Sequence, residues 1–594
     1  MKKFKVIILC IALTFTLGSC SKKTATEDAP SLDDTTGEMD FSFSERDLNW
    51  SYNTKSAKKI QLANEDVEIS KEGTYVLSGS LKDKMITVAA GETDKVQLVF
   101  DGVNIDNSSG PALYIKSADK VFVTAAKGSI NNLSDGSSYS LTDGDSTLDG
   151  AIFSKSDLTI NGEGTLNITG NYKHAVVSKD DLISVSCILN VKSQNVGLSG
   201  KDCVKLKNGT ITISAGTDGV RSDNAEDATR GFVYMEDVTL DVTATNDGIQ
   251  AETVLKSQNS AINIVSGGGY NAFFSDSTES YKGLKAGSDL LISQGKYNIN
   301  SLDDTIHSNN TITIAEGELT LSSGDDGIHA DTDLSVTGGN ITISNSYEGL
   351  EGSKILISGG NIDVTASDDG LNAAGGNDGS QGEHPMGGPM GGDHFSSDVG
   401  EIIISGGMTT VNASGDGVDS NGTITVTGGT TLVSGPTNDG NSAIDCEGEA
   451  SITGGVFLAL GSSGMAQGFT SAENQGAILY AFAPQEGGSA FSVSDSSGNE
   501  IISFAPVKSY QCAVISAPEI QSGNSYTLKI DGESIATIEM TSNLYSAGSI
   551  GMGMGGPGGS PGGGRGDMMV PGGNMGGDGP GGEKPGGGQM PPGW

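Results

Sequence analysis

The sequence predicts an all-β fold, a parallel β-helix in which repeats of about 22 residues stack along one axis. An acidic turn signal recurs at Asp304, Asp326, Glu348 and Asp369, at steps of 22, 22 and 21 residues. Between these signals, three short stretches alternate apolar and polar residues, and Gly or Asx residues separate them. This period of two is typical of strands with one buried face, so each repeat is predicted to contain three strands around an apolar interior.

The first 20 residues predict export and a lipid anchor. Residues 1–19 combine three lysines with the apolar run 6–17, which is too short to span a bilayer. The run ends in Leu-Gly-Ser-Cys, which resembles a bacterial lipobox, so we expect Cys20 to be lipidated and to anchor the protein to a bacterial membrane at the cell surface. An ordinary signal peptide beside an unrelated cysteine is the alternative. Residues 20–47 are polar and are predicted to be a flexible tether.

The rest of the chain divides by pattern. Residues 48–460 carry the repeat, and their first strands are predicted to cap the helix and form its first coils. A Gly-, Met- and His-rich insertion at residues 375–397 is predicted to be a surface loop. Residues 461–548 lose the 22-residue period and are predicted to form a small antiparallel cap. Residues 549–594 are of low complexity and are predicted to be disordered.

The charge of the chain restricts its partners. With 89 glycines, 5% aromatic residues and a formal net charge of −40, the composition suits a Gly-turned solenoid with an acidic surface. Such a charge disfavours nucleic acid and anionic lipid surfaces and favours cations. An acidic polymer could still bind if divalent cations bridged it to the protein.

The cysteines show no zinc-binding spacing. Cys187 and Cys203 could form a disulfide in an exported protein, or they could remain free. Cys446 aligns with small inward positions of other repeats and is predicted to be a buried thiol.

The acidic turns are predicted to form a column along the stack. Neighbouring strands lie about 4.8 Å apart, and carboxylates at that distance repel one another unless a cation neutralises them. Calcium takes six to eight oxygen ligands, which two adjacent turns can supply. The candidate Ca²⁺ ligands are Asp303, Asp304, Asp325, Asp326, Glu348, Asp368, Asp369 and Asp416. Good turn formation by Asx-Gly is the alternative, and it is equally open for Asp218, Asp247 and Asp439.

A second column is expected one position further along each repeat, pointing outwards. It consists of Arg221, Gln250, Lys285, His307, His329, Glu351, Asn372, Asp419 and Asp445. A row of polar side chains on a flat sheet suits an extended sugar chain, and the candidate ligand-binding residues are Lys285, His307, His329, Glu351, Asn372 and Asp419. A merely solvated face is the alternative. The two histidines are expected to face solvent or sugar and not to bind a transition metal, because the sequence shows no third ligand.

Parts of the sequence resemble a known family. Residues 101–105, the block 152–166 and the recurring Asp-Asp-Gly-Ile turn are similar to the bacterial extracellular carbohydrate-binding β-helix family, over about residues 55–545. That family binds cellulose and acidic sugars and is related in fold to pectate lyases. The resemblance implies a right-handed coil, bound calcium and a polysaccharide ligand.

The predicted function is therefore calcium-dependent binding of a polysaccharide, polygalacturonate or cellulose, by a monomeric, surface-anchored protein without catalysis. One alternative is a pectate-type lyase, in which Lys282 or Lys285 removes a proton beside a calcium ion that lowers the pKa of the lysine. Lysines that merely offset the acidic column would look the same. A structural, adhesive or metal-interacting surface protein is a further alternative. Its metal-binding side chains would be His384, Met386, Met390 and His394.

Overall fold

The computed structural model describes residues 39–140, 147–273, 278–373 and 400–548. Within these ranges the chain is almost entirely β-strand, with one short helix at Glu45–Leu48. One sheet of 46 strands runs through the molecule, and a separate sheet of four strands lies near its C-terminal end. The all-β fold dominated by parallel strands is confirmed, whereas the hand of the coil stays a prediction.

Each repeat supplies three strands in chain order, and each strand pairs in parallel with its counterparts in the neighbouring repeats. We call these three sets the first, second and third row. Four long strands contribute to two rows each: Gly73–Lys82, Lys95–Asp106, Ile328–Val336 and Leu350–Ile357.

The first row follows the acidic turns. Apart from the long strands, it contains Val67–Ile69, Ile86–Ala89, Leu113–Ser117, Gly150–Ser154, His174–Ser178, Leu198–Gly200, Val220–Ser222, Ile249–Ala251, Leu284–Ala286, Ile306–Ser308, Leu371–Ala373, Val418–Ser420 and Asp445–Cys446. The second row contains Lys58–Ala63, Lys120–Ala125, Asp157–Gly162, Asp181–Val185, Cys203–Lys207, Phe232–Glu236, Leu255–Gln258, Leu290–Ile292, Ile312–Ile314, Glu401–Ile404, Thr423–Val426, Ala450–Ile452 and Ser471–Ala472.

The third row completes each repeat. It contains Ile130–Ser134, Thr165–Gly170, Ile188–Ser193, Thr210–Ala215, Thr239–Ala244, Ser260–Ser266, Gly295–Ser301, Glu318–Ser323, Asn340–Asn345, Asn361–Ala366, Met408–Ala413, Thr430–Ser434 and Val456–Gly461. Its strands alternate buried and exposed residues almost without exception, as the period of two in the sequence predicts.

The register of the rows follows the 22-residue period. Ile306, Ile328, Leu350 and Leu371 pair in sequence along the first row, and each of their side chains is completely buried. Burial of one such side chain contributes about 1.5–3 kcal/mol. Because a shift of one residue would turn every apolar side chain outwards, this burial fixes the register of the stack.

A close contact between repeats explains the glycine that follows the acidic pairs Asp325-Asp326 and Asp368-Asp369. A Cβ atom at Gly327 would lie only 2.5 Å from the carbonyl oxygen of Gly349 and 2.7 Å from Cδ1 of Ile343. A side chain at Gly327 would therefore press against the next repeat, although Thr305 is accommodated at the equivalent position one repeat earlier. The Asp-Asp-Gly signal therefore marks the corner between the third and the first row.

Residues 39–48 pack onto the outer surface of the second row. The ring centroid of Phe41 lies 5.0 Å from that of Phe232 and 5.3 Å from that of Tyr234. Apolar burial of this kind holds the segment against the sheet. The prediction of a flexible tether over residues 20–47 is therefore wrong for residues 39–47. Their aromatic partners lie on strands that are distant in the sequence, so no local pattern indicates the contact.

The segment ends in a short helix that is fixed by a buried carboxylate. Asp47 forms a capping box with Ser44, its Oδ1 atom lies 2.9 Å from Nζ of Lys120, and it accepts a hydrogen bond of 2.6 Å from Thr159. Asp47 is 1% exposed. This contact joins the start of the described chain to two strands of the second row.

Pairing changes near the C-terminal end of the described chain. Strand Val456–Gly461 pairs antiparallel with Tyr510–Ala517, which in turn pairs antiparallel with Gly476–Gln485. The separate four-stranded sheet consists of Phe491–Asp495, Glu500–Phe504, Ser525–Ile530 and Glu533–Glu539, and Leu544–Ala547 pairs in parallel with Gly476–Gln485. The role of this region as a cap stays a prediction.

The four cysteines of the described ranges are free and buried. Cys187 lies in the main apolar core, whereas Cys203 belongs to the small cluster around Phe232. The possible disulfide between Cys187 and Cys203 is therefore not formed. Cys446 is buried as expected, and its thiol donates to the carbonyl oxygen of Gly422 over 3.3 Å.

Several predictions fall on residues outside the described ranges. These are the signal peptide and Cys20, the insertion at residues 375–397 with His384, Met386, Met390 and His394, and the tail at residues 549–594. Among the residues that are described, no helix has the length and apolar character needed to cross a membrane.

Candidate functional site

The acidic side chains at the corner before the first row form a column, and they hydrogen-bond from one repeat to the next. Oδ1 of Asp304 accepts from the backbone N–H of Asp326 at 3.0 Å, and Oδ1 of Asp326 accepts from the N–H of Glu348 at 3.1 Å. In the same way Asp369 accepts from the N–H of Asp416 at 2.5 Å. The acid at the turn therefore has a structural role, because it satisfies an amide that the strand ladder leaves unpaired.

One lysine neutralises the middle of the acidic column. Nζ of Lys282 lies 2.9 Å from Oδ1 of Asp303 and 2.6 Å from Oδ2 of Asp304, and all three side chains are buried. Burial lowers the pKa of Lys282, but the carboxylates of Asp304 and Asp303 outweigh it and hold that pKa well above its usual range. Burial also raises the pKa of Asp304, yet the Lys282 ammonium and the hydrogen bond from His307 keep it well below its usual range.

This ion pair bears on the catalytic role expected for the lysine. A catalytic base at Lys282 would need a depressed pKa, whereas the carboxylates of Asp304 and Asp303 raise it. The effect of a neighbouring calcium ion on this pKa stays a prediction. A buried, protonated lysine cannot remove a proton from a substrate. Lys285, the other candidate base, lies 3.6 Å from Oδ2 of Asp247 and donates to Oγ of Ser280 at 3.1 Å.

The second column is not the exposed row that the alternation predicted. His307 is 1% exposed and His329 is completely buried, while Glu351 and Asn372 are 8% and 6% exposed. Polar side chains from both ends of these short strands explain the difference, because Asp304 and Asn309 contact His307. Asp326 and Asp331 contact His329 in the same way. Lys285 and Asp419 remain half-buried. The role of these residues in sugar binding stays a prediction.

The two buried histidines form a polar cluster with the carboxylates around them. Nδ1 of His307 lies 2.8 Å from Oδ2 of Asp304, and Nδ1 of His329 lies 2.9 Å from Oε2 of Glu351 and 3.3 Å from Oδ2 of Asp326. Burial lowers the pKa of His329, but Glu351 and the hydrogen bond to Asp326 outweigh it and hold the pKa well above its usual range. Sequence analysis missed this cluster, although the equivalent positions of the two histidines in successive repeats could have indicated it.

Acids also accumulate further along the column, without a nearby lysine or arginine among the described ion pairs. Burial, with Asp416 next in effect, raises the pKa of Asp369 to about 8. Burial also raises the pKa of Asp416 to about 7, although the N–H of Ser442 opposes it, and Asp445 adds to the rise. Burial is the main cause of both shifts, and neighbouring carboxylates add to it.

These acids supply an oxygen-only set of donor atoms. Asp416, Asp419 and Asp445 each place a carboxylate oxygen within 4.8 Å of the other two. Gly415 packs so closely that a Cβ atom there would lie 2.2 Å from Oδ1 of both Asp368 and Asp369. An oxygen-only donor set of this kind fits a hard cation such as calcium. Asp303, Asp304 and Asp325 form a similar oxygen set, but Lys282 already occupies it.

Glu348 differs from the aspartates of the column. Its carboxylate accepts from Nδ2 of Asn372 at 2.5 Å. Burial and the charges of Glu351 and Asp369 raise the pKa of Glu348 well above its usual range. Glu348 therefore links the histidine cluster to the acids further along the column.

An acidic cluster that sequence analysis missed lies near the second row. Asp157, Asp180 and Asp181 place carboxylate oxygens within 4.8 Å of one another, and burial with the charge of Asp157 raises the pKa of Asp180 to about 7. Arg230 lies 3.9 Å from Oδ1 of Asp180. The adjacent pair Asp180-Asp181 was the available signal, but it does not recur with the repeat.

A shallow polar groove runs across the exposed surface of the third row. It encloses about 350 Å³ and crosses five consecutive strands. Four outward polar residues of its floor pair in register, and these are Thr212, Asp241, Asn263 and Asn298. Thr243, Asn300 and Ser322 lie two positions further along the strands. Nδ2 of Asn263 donates to Oδ1 of Asp241 at 2.7 Å, so neighbouring strands share hydrogen bonds along the groove.

The fold and these surfaces define an all-β protein of parallel strands with an acidic column and a polar groove. The profile of the family described as "Carbohydrate-binding domain-containing protein" matches residues 63–327 and 325–456. A relative with that description from Acetivibrio thermocellus is 31% identical over 265 residues, which are 44% of this chain and 91% of the relative. This chain belongs to the family of carbohydrate-binding domain-containing proteins.

A solved structure is also similar in sequence. It is a gadolinium derivative of a polysaccharide lyase-like protein from C. thermocellum, with 31% identity over 36% of this chain and 91% of the solved chain. The TM-score is 0.35, which is too low to transfer geometry.

Proposed function

We propose that the protein binds an extended polysaccharide at the cell surface and does not cleave it. The observation that carries this proposal is the polar groove of the third row, which crosses five strands at the regular spacing of a sheet. The four polar residues in register are separated by three steps of about 4.8 Å, which make a row of donors and acceptors about 14 Å long. A polymer with a repeating set of hydroxyl groups can meet such a row with the same hydrogen bonds at each step.

Membership of a carbohydrate-binding family supports the same ligand class. Acidic sugars such as polygalacturonate are the proposed ligands, with cellulose next. A net charge of −40 repels a uronate chain, so binding of an acidic sugar requires cations between the two. Neutral cellulose would bind through hydrogen bonds alone.

Calcium is the proposed cation, held by the carboxylates of Asp416, Asp419 and Asp445 with Asp369 nearby. Support comes from the oxygen-only donors and from the burial of Asp369 and Asp416 beside other carboxylates, which raises the pKa values of both groups. When bound, calcium would neutralise this part of the column and could offer open positions to uronate carboxylates.

The contacts of Lys282 argue against the lyase alternative. Lys282 is protonated and buried between two carboxylates, so it can stabilise the corner but cannot abstract a proton. The proposal is therefore a binding protein, in which the lysine has a structural role.

Affinity electrophoresis in polygalacturonate gels and sedimentation with cellulose test the proposal. The Asn263→Ala/Asn298→Ala double variant removes two polar side chains of the groove and should weaken binding about tenfold, at about 0.5–1.5 kcal/mol for each hydrogen bond. The control is Asn132→Ala/Asn167→Ala, which changes exposed asparagines of the same row outside the groove. Equal binding by both double variants would contradict the groove assignment.

Ultraviolet absorbance during the same incubations separates binding from cleavage. A lyase produces an unsaturated sugar by β-elimination, and a binding protein does not. Steady product formation that disappears in Lys285→Ala would overturn the non-catalytic proposal. Retardation that is unchanged by a chelator would separate sugar binding from calcium.

A further inference from the structure

Two imidazole rings lie side by side in the interior of the first row. His307 and His329 pair in register on neighbouring strands, with ring centroids 5.0 Å apart and an interplanar angle of 54°. His307 is 1% exposed and His329 is completely buried. Their Nδ1 atoms both face the acidic corner, where the contacts to Asp304 and Glu351 are 2.8 Å and 2.9 Å.

The remaining ring nitrogens each face an oxygen atom on the other side of the ring. Nε2 of His307 lies 2.9 Å from Oδ1 of Asn309, and Nε2 of His329 lies 3.4 Å from Oδ1 of Asp331. If a metal ion took the place of the proton at Nδ1, the Nε2–H could still donate to the oxygen atom on the outer side of the ring. Histidines that ligate metals have this arrangement, because the outer hydrogen bond orients the ring and increases its basicity.

The donor atoms around Nδ1 have the spacing of a metal site. One ligand atom each from Asp304, His307 and His329 lie within 4.8 Å of one another, and the same holds for Asp326, His329 and Glu351. Contacts within the two sets range from 2.8 to 3.3 Å. Four ligands at about 2.0 Å from a tetrahedral ion stand about 3.3 Å apart, so small movements would suffice for coordination.

The carboxylates of the cluster outnumber its cationic groups. The carboxylates near the imidazoles are those of Asp303, Asp304, Asp326, Asp331 and Glu351. Among the described ion pairs, Lys282 is the lysine that contacts two of these carboxylates, Asp303 and Asp304. Burying carboxylates without matching cations is costly, and a divalent ion would supply the missing charge.

We propose that His307, His329 and Asp304, together with a carboxylate from Asp326 or Glu351, form a binding site for a zinc-type divalent transition-metal ion. Two imidazoles with carboxylates suit such borderline ions, whereas calcium prefers oxygen alone. The Lys282 ammonium remains hydrogen-bonded to Asp304 and holds that carboxylate in place. This site is separate from the oxygen-only group at Asp416, Asp419 and Asp445 that is proposed for calcium.

Cobalt(II) is the probe, because its visible absorption distinguishes tetrahedral coordination from the hydrated ion. The full chain, freed of metal with a chelator, should take up one cobalt ion with intense tetrahedral bands, and zinc should displace it. His307→Gln and His329→Gln should each weaken binding by about 100-fold or more, since loss of an outer partner alone costs 10–100-fold.

The five histidines of the chain provide matched controls. His174→Gln and the His384→Gln/His394→Gln double variant should bind cobalt like the wild type, and Asp416→Asn should lose calcium binding but keep cobalt. Circular dichroism checks that each variant is folded. If both cluster variants fail to fold, the cobalt spectrum of the wild-type protein is the test. Intense tetrahedral bands would support the proposal, and weak octahedral bands would overturn it. Equal cobalt affinity in folded His307→Gln and wild-type protein also overturns it.

Discussion

The ammonium group of Lys282 lies 2.6 Å from Oδ2 of Asp304, and both side chains are out of contact with solvent. Lys282 is also 2.9 Å from Asp303, so one cation serves two buried carboxylates. Removal of one partner from such a pair leaves an uncompensated buried charge. The stability of this corner therefore depends on the lysine.

Lys282→Met should destabilise the fold by about 3–5 kcal/mol, because it leaves Asp303 and Asp304 without their cation. Urea unfolding measures the change. Lys296→Met is the control, since Lys296 forms an exposed pair with Glu318 at 2.8 Å and exposed pairs contribute little. Equal loss of stability in the two variants would show that the buried ion pair contributes no more to stability than the exposed one.

His174 should make the protein less stable in mild acid. Its Nδ1 atom accepts from the N–H of Val196 at 3.2 Å, and burial, aided by the charge of Arg221, lowers its pKa to about 4. Between pH 6.5 and pH 4 the unfolded chain binds more protons at this residue than the folded chain, so stability falls as the pH falls. The contribution is about 2.5 kcal/mol between pH 7 and pH 4.5.

His174→Asn tests this contribution, because the Asn oxygen can accept the same amide hydrogen bond without titrating. Urea unfolding at pH 7 and pH 4.5 should show a smaller pH effect in the variant than in the wild type. Identical pH effects would mean that His174 keeps its ordinary pKa in the folded protein.

Calcium should stabilise the protein through the oxygen-only acids. A ligand that binds only the folded state adds about 2.7 kcal/mol at a concentration of 100 Kd, so the midpoint of thermal unfolding should rise when calcium is added to metal-free protein. Asp416→Asn should abolish the rise, while Asp363→Asn, at an exposed site on the third row, should preserve it. An unchanged midpoint in the wild type would remove the calcium proposal.

The packed N-terminal segment should contribute to stability. Asp47→Ala removes the partner of Lys120, which is 9% exposed, and also breaks the capping box, so a loss of about 3 kcal/mol is expected. Glu45→Ala is the control at an exposed position of the same helix. Limited proteolysis should cut residues 39–48 faster in Asp47→Ala, and equal rates would show that the segment is held without this contact.

Lipidation at Cys20 is a further proposal from the sequence. Cys20→Ala should move the protein from the membrane fraction to the soluble fraction of its bacterial host, because the anchor is a lipid on that cysteine. Cys10→Ala, within the same signal, should leave the protein in the membrane fraction. Retention of Cys20→Ala in the membrane would contradict the anchor.

The sequence by itself determined the all-β class, the parallel stacking and the positions of the acidic turns. Strand alternation is local, and a 22-residue period allows only one register in which Ile306, Ile328 and Leu350 are all buried. The corner glycines follow from the same regular contact between repeats. Local pattern was sufficient because each repeat touches mainly its neighbours.

Only the tertiary structure decided which partner each charged group has. It placed Lys282 between Asp303 and Asp304, and it enclosed His307 and His329 among carboxylates, where the alternation predicted an exposed row. It also packed Phe41 against Phe232, almost 200 residues away in the chain. The contacts of the lysine and the histidines depend on side chains at the ends of short strands, and the contact of Phe41 depends on the path of the N-terminal segment. Neither feature has a periodic signal in the sequence.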